Sequence, residues 1–233
     1  MASRTDTSGR VLELSRDFRA NTEPRAVMRH LARALTCEIR AVEHAAITTA
    51  TGPPLGGDQL ARELESCQRA AGGGPRLQAE LDGEVVRGED LARDPRWPEF
   101  AAVALRSGVR AVLAVPLVCL GEVGALTLYA RRPRAFTADA EQFALLLAAQ
   151  ATSAAAEREQ EHLSNAAASR DVIGQAKGIL MERYRINAAA AFDLLSRISQ
   201  STNTKLRAVA EELTRGSAFP GQLPRPRSPQ STG

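Results

Sequence analysis

The residues of this chain most able to do chemistry are cations gathered toward its C-terminal end. Between Arg170 and Arg215 stand eight basic residues, namely Arg170, Lys177, Arg183, Arg185, Arg197, Lys205, Arg207 and Arg215. Five acids oppose them, Asp171, Glu182, Asp193, Glu211 and Glu212, which leaves the segment about +3. Such charges can position a phosphate backbone, and binding that releases counterions weakens with salt. An amide such as Asn203 can read the edge of an unpaired base. Lys177, Asn203, Lys205, Arg207, Arg170 and Arg183 are candidates for this role. The same charges also fit a solvated helical surface, and Asn203 also fits a helix cap.

Other chemistry finds little support. Cys37, Cys67 and Cys119 are far apart and form no CxxC pair, so they read as buried free thiols rather than a disulfide framework or zinc site. His30, His44 and His162 lack metal-ligand spacing, and neither haem nor zinc is indicated. Gly72-Gly73-Gly74 is not followed by the Lys and Ser or Thr of a phosphate loop. No nucleophile–base pair or paired acids stand out, so no catalytic residue, metal or cofactor is assigned, and a phosphodiesterase or kinase is disfavoured. The N-terminus lacks the apolar core of a secretory signal, and no apolar run reaches the roughly 18 residues of a membrane helix. The chain is expected to be cytoplasmic. Its net charge of +3 over 233 residues permits contact with nucleic acid without demanding it.

The elements that must hold these residues follow from periodicity. Val27, Leu31, Leu35 and Ile39 recur every four positions after Pro24, which predicts a helix from about Glu23 to Arg40. A β-type run at Ala45–Thr49 and a helix from about Asp58 to Ala70 follow. Ala111–Val118 is a continuous apolar run suited to a strand covered on both faces or to a sheet centre, and Val123–Tyr129 returns after a short glycine gap as its hairpin partner. Pro116 inside the first run implies an edge or a bulge there. Helices and paired strands mix without a βαβ rhythm, which favours α+β.

After Phe136 the pattern is purely helical. Thr137 can cap, Asp139 and Glu141 suit the first turn, and no proline interrupts 138–184. An unbroken helix there would be on the order of 70 Å long, which is more plausible as a connector that pairs with a second copy. Leu163, Ala166, Arg170, Ile173, Lys177 and Leu180 trace a heptad-like line along it. Asn187 can cap a second helix to about Ser199, Thr202 or Asn203 a third over Lys205–Thr214, and Gly216 can stop it. Gly174, Ala176 and Gly178 would let neighbouring helices approach closely.

The stretch Ser169–Arg215 resembles an ANTAR domain, the RNA-binding output module of bacterial antitermination regulators. The resemblance rests on Ile173-Gly174-Gln175-Ala176-Lys177-Gly178-Ile179-Leu180-Met181, then Ala191-Phe192, Leu195, Ser199, Asn203-x-Lys205-Leu206 and Ala210. It implies an RNA target with two hairpins, and Lys177 and Lys205 occupy motif positions. The chain departs from the family at Arg185, where a glycine usually precedes the second helix, and at Ala188–Ala190, where acids are common.

Residues from about Glu23 to Ala154 resemble a GAF domain of actinobacterial regulators, through Leu91–Phe100 (LARDPRWPEF), Gly108-Val109-Arg110, Val115-Pro116-Leu117 and Gly124-Ala125-Leu126-x-Leu128-Tyr129. The resemblance implies an antiparallel sheet flanked by helices, and a dimer interface formed by the terminal helices. Relatives often carry Gly-Glu-Gly-Pro-Cys where this chain has Gly72-Gly73-Gly74-Pro75-Arg76, so a thiol response there is not expected. Trp97 reads as a packing residue.

The expected organisation is a disordered N-terminus (1–9), a GAF-like sensor (10–156), an ANTAR module (157–215) whose first helix continues the sensor's last, and a disordered Pro-rich tail (216–233). The expected partners are a two-hairpin transcript, a second copy through the connector helix, and an unidentified small molecule at the sensor. The rival reading is a small-molecule or protein-binding sensor whose helical C-terminus only dimerises.

Overall fold

The structure is a computed structural model that describes residues 4–216, with side chains from Ser8 onward. Residues 1–3 and 217–233, the latter holding nearly all of the expected Pro-rich tail, lie outside the described residues. The chain divides into two compact units, Met1–Gln160 and Glu161–Gly233.

The first unit runs α1 (Arg4–Ala20), α2 (Pro24–Glu38), β1 (His44–Thr49), β2 (Gly56–Gly57), α3 (Gln59–Ala71), α4 (Pro75–Asp82), β3 (Val86–Gly88), α5 (Pro98–Arg106), β4 (Ala111–Cys119) and β5 (Glu122–Ala130). It ends in the first half of α6 (Ala138–Tyr184). The five strands make one antiparallel sheet in the order β2-β1-β5-β4-β3. This is the α+β architecture expected.

The period-two rule explains how the strands serve two cores. Leu113, Val115 and Leu117 of β4 face one side with Leu126 and Leu128 of β5, where α1, α2 and α6 supply Phe18, Leu31, Leu35, Leu147 and Ala151. Val112 and Ala114 face the other side with Tyr129, against Leu64 of α3, Ala79 of α4 and Phe100 and Ala104 of α5. A strand buried on both faces reads as an unbroken apolar run, and β4 is such a strand.

Pro116 is accommodated by an edge and not by a bulge. The pairing of β4 with β5 is continuous, with Pro116 opposite Ala125. On its other side β4 is paired with β3 only at 112–114, so Pro116 lies beyond that neighbour and its missing N–H interrupts no ladder there. Gly124 allows β5 to close on β1, because a Cβ at that position would meet the Thr48 carbonyl oxygen at 2.2 Å.

One expectation is corrected at the N-terminus. Residues 4–9, expected to be disordered, form the start of helix α1. Leu14 and Phe18, four apart, bury against α2, and Phe18 meets the His30 ring edge-on at 5.2 Å. Burying a phenylalanine contributes roughly 1.5–3 kcal/mol and helps to dock this largely polar helix. Arg10 adds an ion pair to Glu38.

The cysteines are corrected as well. Only Cys119 is buried, and burial pushes its thiol up to about 12, whereas Cys67 is partly exposed and Cys37 exposed. The helix face of Cys37 simply looks outward from α2. Among the described residues, no helix is long and apolar enough to cross a membrane.

Candidate nucleic-acid interface

The second unit is built from the end of α6, α7 (Ala188–Ser201) and α8 (Leu206–Thr214). Ala176 and Leu180 of α6, Ala191, Leu195 and Ile198 of α7, and Val209, Ala210 and Leu213 of α8 form its core. Their spacings of three and four put one apolar stripe on each helix. The Asn187 side chain caps α7, accepting from the Ala190 N–H at 2.9 Å. Gly216, at φ 75°, follows α8 and donates to the Leu213 carbonyl.

The turn into α7 passes through Arg185 at φ 53°. A left-handed backbone suits glycine and disfavours residues with a Cβ by about 1–2 kcal/mol. Its exposed ion pair with Glu182 at 3.2 Å offsets little of that. Arg185→Gly is therefore expected to stabilise the second unit by about 0.5–1 kcal/mol after glycine's own entropy is counted. Thermal unfolding would show it as a raised midpoint; a lowered midpoint would mean that the turn is not strained.

The expectation for the third helix is corrected. Neither Thr202 nor Asn203 caps α8; Lys205 occupies the cap position and no side chain accepts there. The end of α7 claims both residues instead. Thr202 donates its hydroxyl to the Ile198 carbonyl at 2.8 Å, and Asn203, at φ 51°, is the left-handed residue that terminates the helix. Asparagine tolerates that conformation better than other residues with a side chain. Ser199 then donates to the Thr204 carbonyl at 2.6 Å and closes the turn. The result leaves Asn203 and Lys205 exposed on the same short turn.

The other candidates divide. Arg170, Lys177 and Met181 recur at helical spacing on one face of α6, with Gly174 and Gly178 between them. Arg170 is exposed and Lys177 partly so. Arg183 is exposed but falls on a different face. Arg207 donates to Glu211 at 2.7 Å and, with Arg215, holds that carboxyl below its ordinary range. Its guanidinium is thus already oriented.

The two glycines correct a further expectation. Ala176 is buried and lets helices approach, but a Cβ on Gly174 or Gly178 would meet nothing within 4 Å. The chain therefore carries two exposed glycines inside a long helix without an internal packing reason.

A cluster that sequence reasoning missed lies in the first unit. Arg76, 1% exposed, sits between Glu65 at 2.9 Å and Glu80 at 2.7 Å. Tyr129 donates its hydroxyl to Glu65 at 2.6 Å and accepts from Gln68 at 3.1 Å. Gln68 accepts the Arg76 backbone N–H at 2.8 Å, and Gly74 packs so tightly on Gln68 that a Cβ would lie 2.3 Å from its oxygen. Burial holds the Glu65 and Glu80 carboxyls above the usual range despite Arg76. The arginine in the Gly-Gly-Gly-Pro-Arg stretch was the one visible sign. It fills the interior between sheet and helices with a polar lock.

Residues 21–156 match the family model for the GAF domain, and residues 161–213 match that for the ANTAR domain. The chain belongs to the GAF family and carries an ANTAR domain. No match is found among curated proteins. Among solved structures, a GAF sensor protein from Burkholderia vietnamiensis is 14% identical at a TM-score of 0.51, covering 68% of this chain and 99% of its own. The GAF domain of an Acinetobacter phosphoenolpyruvate-protein phosphotransferase is 15% identical at 0.50, covering 67% and 95%. A bacteriophytochrome from R. palustris is 10% identical at 0.57, covering 83% of this chain and 47% of its own. At such identities the likeness concerns the fold alone. GAF is a sensor domain and ANTAR an RNA-binding antitermination output domain, both of regulatory kind.

Proposed function

We propose that this GAF–ANTAR protein is a cytoplasmic homodimeric regulator of transcription antitermination. Its sensor, residues 10–156, responds to a small molecule and acts through α6 on the RNA module, residues 157–215. Two modules then grip a leader transcript with two hairpins and stabilise it against a competing terminator. The observation that carries this reading is the ANTAR match, with Lys177, Asn203 and Lys205 all accessible to a ligand. Lysines would hold phosphates, and Asn203 would read a loop base. Arg207, Arg170 and Arg183 would add electrostatic attraction.

The dimer is supported by apolar side chains on α6 that no core uses. Leu163 is 68% exposed, and Ala166 and Arg170 beside it on the expected heptad line are exposed too. Farther down that line Ile173 and Leu180 join the three-helix core instead. The segment around Leu163 is thus where a second copy would sit. Sedimentation of the full chain is expected to give a dimer.

Gly174 and Gly178 fit the same reading, because a surface without Cβ atoms lets a sugar–phosphate backbone approach Lys177 closely. Gly174→Ala with Gly178→Ala is expected to stabilise the helix by about 1 kcal/mol per site. The same pair should weaken RNA binding. A variant that is more stable and binds RNA unchanged would remove the glycines from the interface.

The whole reading is tested by crosslinking the protein to cellular RNA and sequencing what is recovered. Enrichment of paired hairpins ahead of terminators is expected. Recovery of no RNA would leave a sensor whose C-terminal helices only dimerise.

A further inference from the structure

A cleft of about 790 Å³ opens on the first unit, where the loop after β3 meets the segment between β5 and α6. Five arginines line it, Arg87, Arg93, Arg96, Arg110 and Arg134, against three acids, Glu89, Asp90 and Asp94. The arginines fall into two kinds. Arg110 donates to Asp90 at 2.9 Å and Arg96 to Asp94 at 2.6 Å, and these pairings hold both carboxyls below their ordinary range. Arg96 also lies over the Trp97 ring at 4.1 Å. These two guanidinia are fixed in place.

Arg93 and Arg134 are not. Their side chains are 85% and 79% exposed, and they stand 3.8 and 3.7 Å from Asp90 and Glu89, beyond hydrogen-bond distance. Arg134 is nevertheless held in position by its backbone, which has φ 53° and donates to the Glu89 carbonyl at 2.7 Å. The fifth arginine, Arg87, pairs with Glu141 in the first turn of α6, so the cleft lies at the root of that helix.

We propose that this cleft binds a ligand carrying adjacent phosphates, such as a pyrophosphate or a nucleoside diphosphate. Guanidinium forks match phosphate oxygens in pairs. Arg93 and Arg134, whose side chains make no hydrogen bond to the nearby acids, can each engage a phosphate, while Arg96 and Arg110 are held in the same lining by Asp94 and Asp90. The volume lies in the range of small-molecule sites, roughly 300–1,000 Å³. The lining holds arginines, acids and two prolines, so a polar and multiply charged ligand fits it better than an apolar one. Arginines outnumber acids in that lining by two, the sense of charge such an anion requires. Arg87 would link occupancy to α6.

The test is calorimetric titration of the full-length protein with inorganic pyrophosphate at low and high salt, with a nucleoside diphosphate as a second arm. Saturable binding is expected, weaker at high salt and at least about tenfold weaker in Arg93→Ala/Arg134→Ala. Those two residues are exposed, so the fold should survive. Arg93→Lys/Arg134→Lys, which keeps the charge and loses the fork, should fall between. Tighter binding of the nucleotide would identify a nucleotide as the source, and equal binding a free polyphosphate. Absence of saturable binding, or equal affinity in the alanine variant, overturns the proposal. The site is independent of the RNA reading: pyrophosphate binding should persist in Lys177→Ala/Lys205→Ala. Loss of RNA affinity in the Arg93/Arg134 alanine variant measured without pyrophosphate or nucleotide would make the cleft part of the RNA interface and overturn the proposal too.

Discussion

Arg76→Ala is expected to destabilise the GAF unit by about 3–5 kcal/mol, a large part of a domain's usual 5–15 kcal/mol. The reason is less the loss of a salt bridge than what remains behind. Glu65 is 2% exposed and Glu80 nearly as deeply placed, and both lean on the one guanidinium. Without it the Glu65 carboxyl keeps the Tyr129 hydroxyl and a long contact from Thr48, and Glu80 loses its hydrogen-bond donor. Urea unfolding followed by the fluorescence of Trp97, which sits in the same core, would measure the effect. Neutralising one acid should restore part of the loss, so Arg76→Ala with Glu65→Gln is expected to be more stable than Arg76→Ala alone.

The deficit also has a definite pH dependence. Burial already holds the Glu65 carboxyl above its ordinary range, and removing Arg76 raises it further. The folded variant then keeps a proton that the unfolded chain gives up above the ordinary carboxylate range. Its deficit should therefore grow as pH rises above the ordinary carboxylate range and shrink as pH falls toward that range. A variant within about 1 kcal/mol of the parent would show that the cluster is not the lock described.

The second large effect concerns RNA. Lys177→Ala and Lys205→Ala are each expected to weaken binding to a two-hairpin RNA by about tenfold, and the pair together to bring it near the level of random RNA. Each substitution removes one phosphate contact, so the dependence of log affinity on log salt should become shallower by about one. Asn203→Ala should behave differently, reducing the preference for the cognate loop while leaving the salt slope unchanged. Neither lysine belongs to a core cluster, so folding should be spared.

Much of the architecture was legible because it depends on periodicity. The run Ala111–Val118 announced a strand at a sheet centre or covered on both faces, Pro116 announced an edge or a bulge in it, and Thr137 and Asn187 announced where α6 and α7 begin. What depends on distant partners was not legible. The few apolar residues of α1 stand among charges, and only the docking of α2 makes Leu14 and Phe18 a buried face. Arg76 looks like any surface arginine until α3 and α4 bring Glu65 and Glu80 to it. Asn203 offered a cap by residue type, and the choice between ending α7 and starting α8 was made by backbone conformation. The exposure of Gly174 and Gly178 likewise needed the positions of all three helices. The candidate RNA residues were chosen from charge and motif, and the structure adds how each is presented.

The most direct test of the central claim is a gel-shift titration of the full-length protein against a two-hairpin leader RNA, the same RNA with one hairpin deleted, and a scrambled RNA of equal length, at several salt concentrations. A dimer gripping two hairpins gains effective concentration, so the intact leader should bind about a hundredfold or more tighter than the single hairpin. Its advantage over the scrambled RNA should persist as salt rises. Equal affinity for all three RNAs would contradict the account.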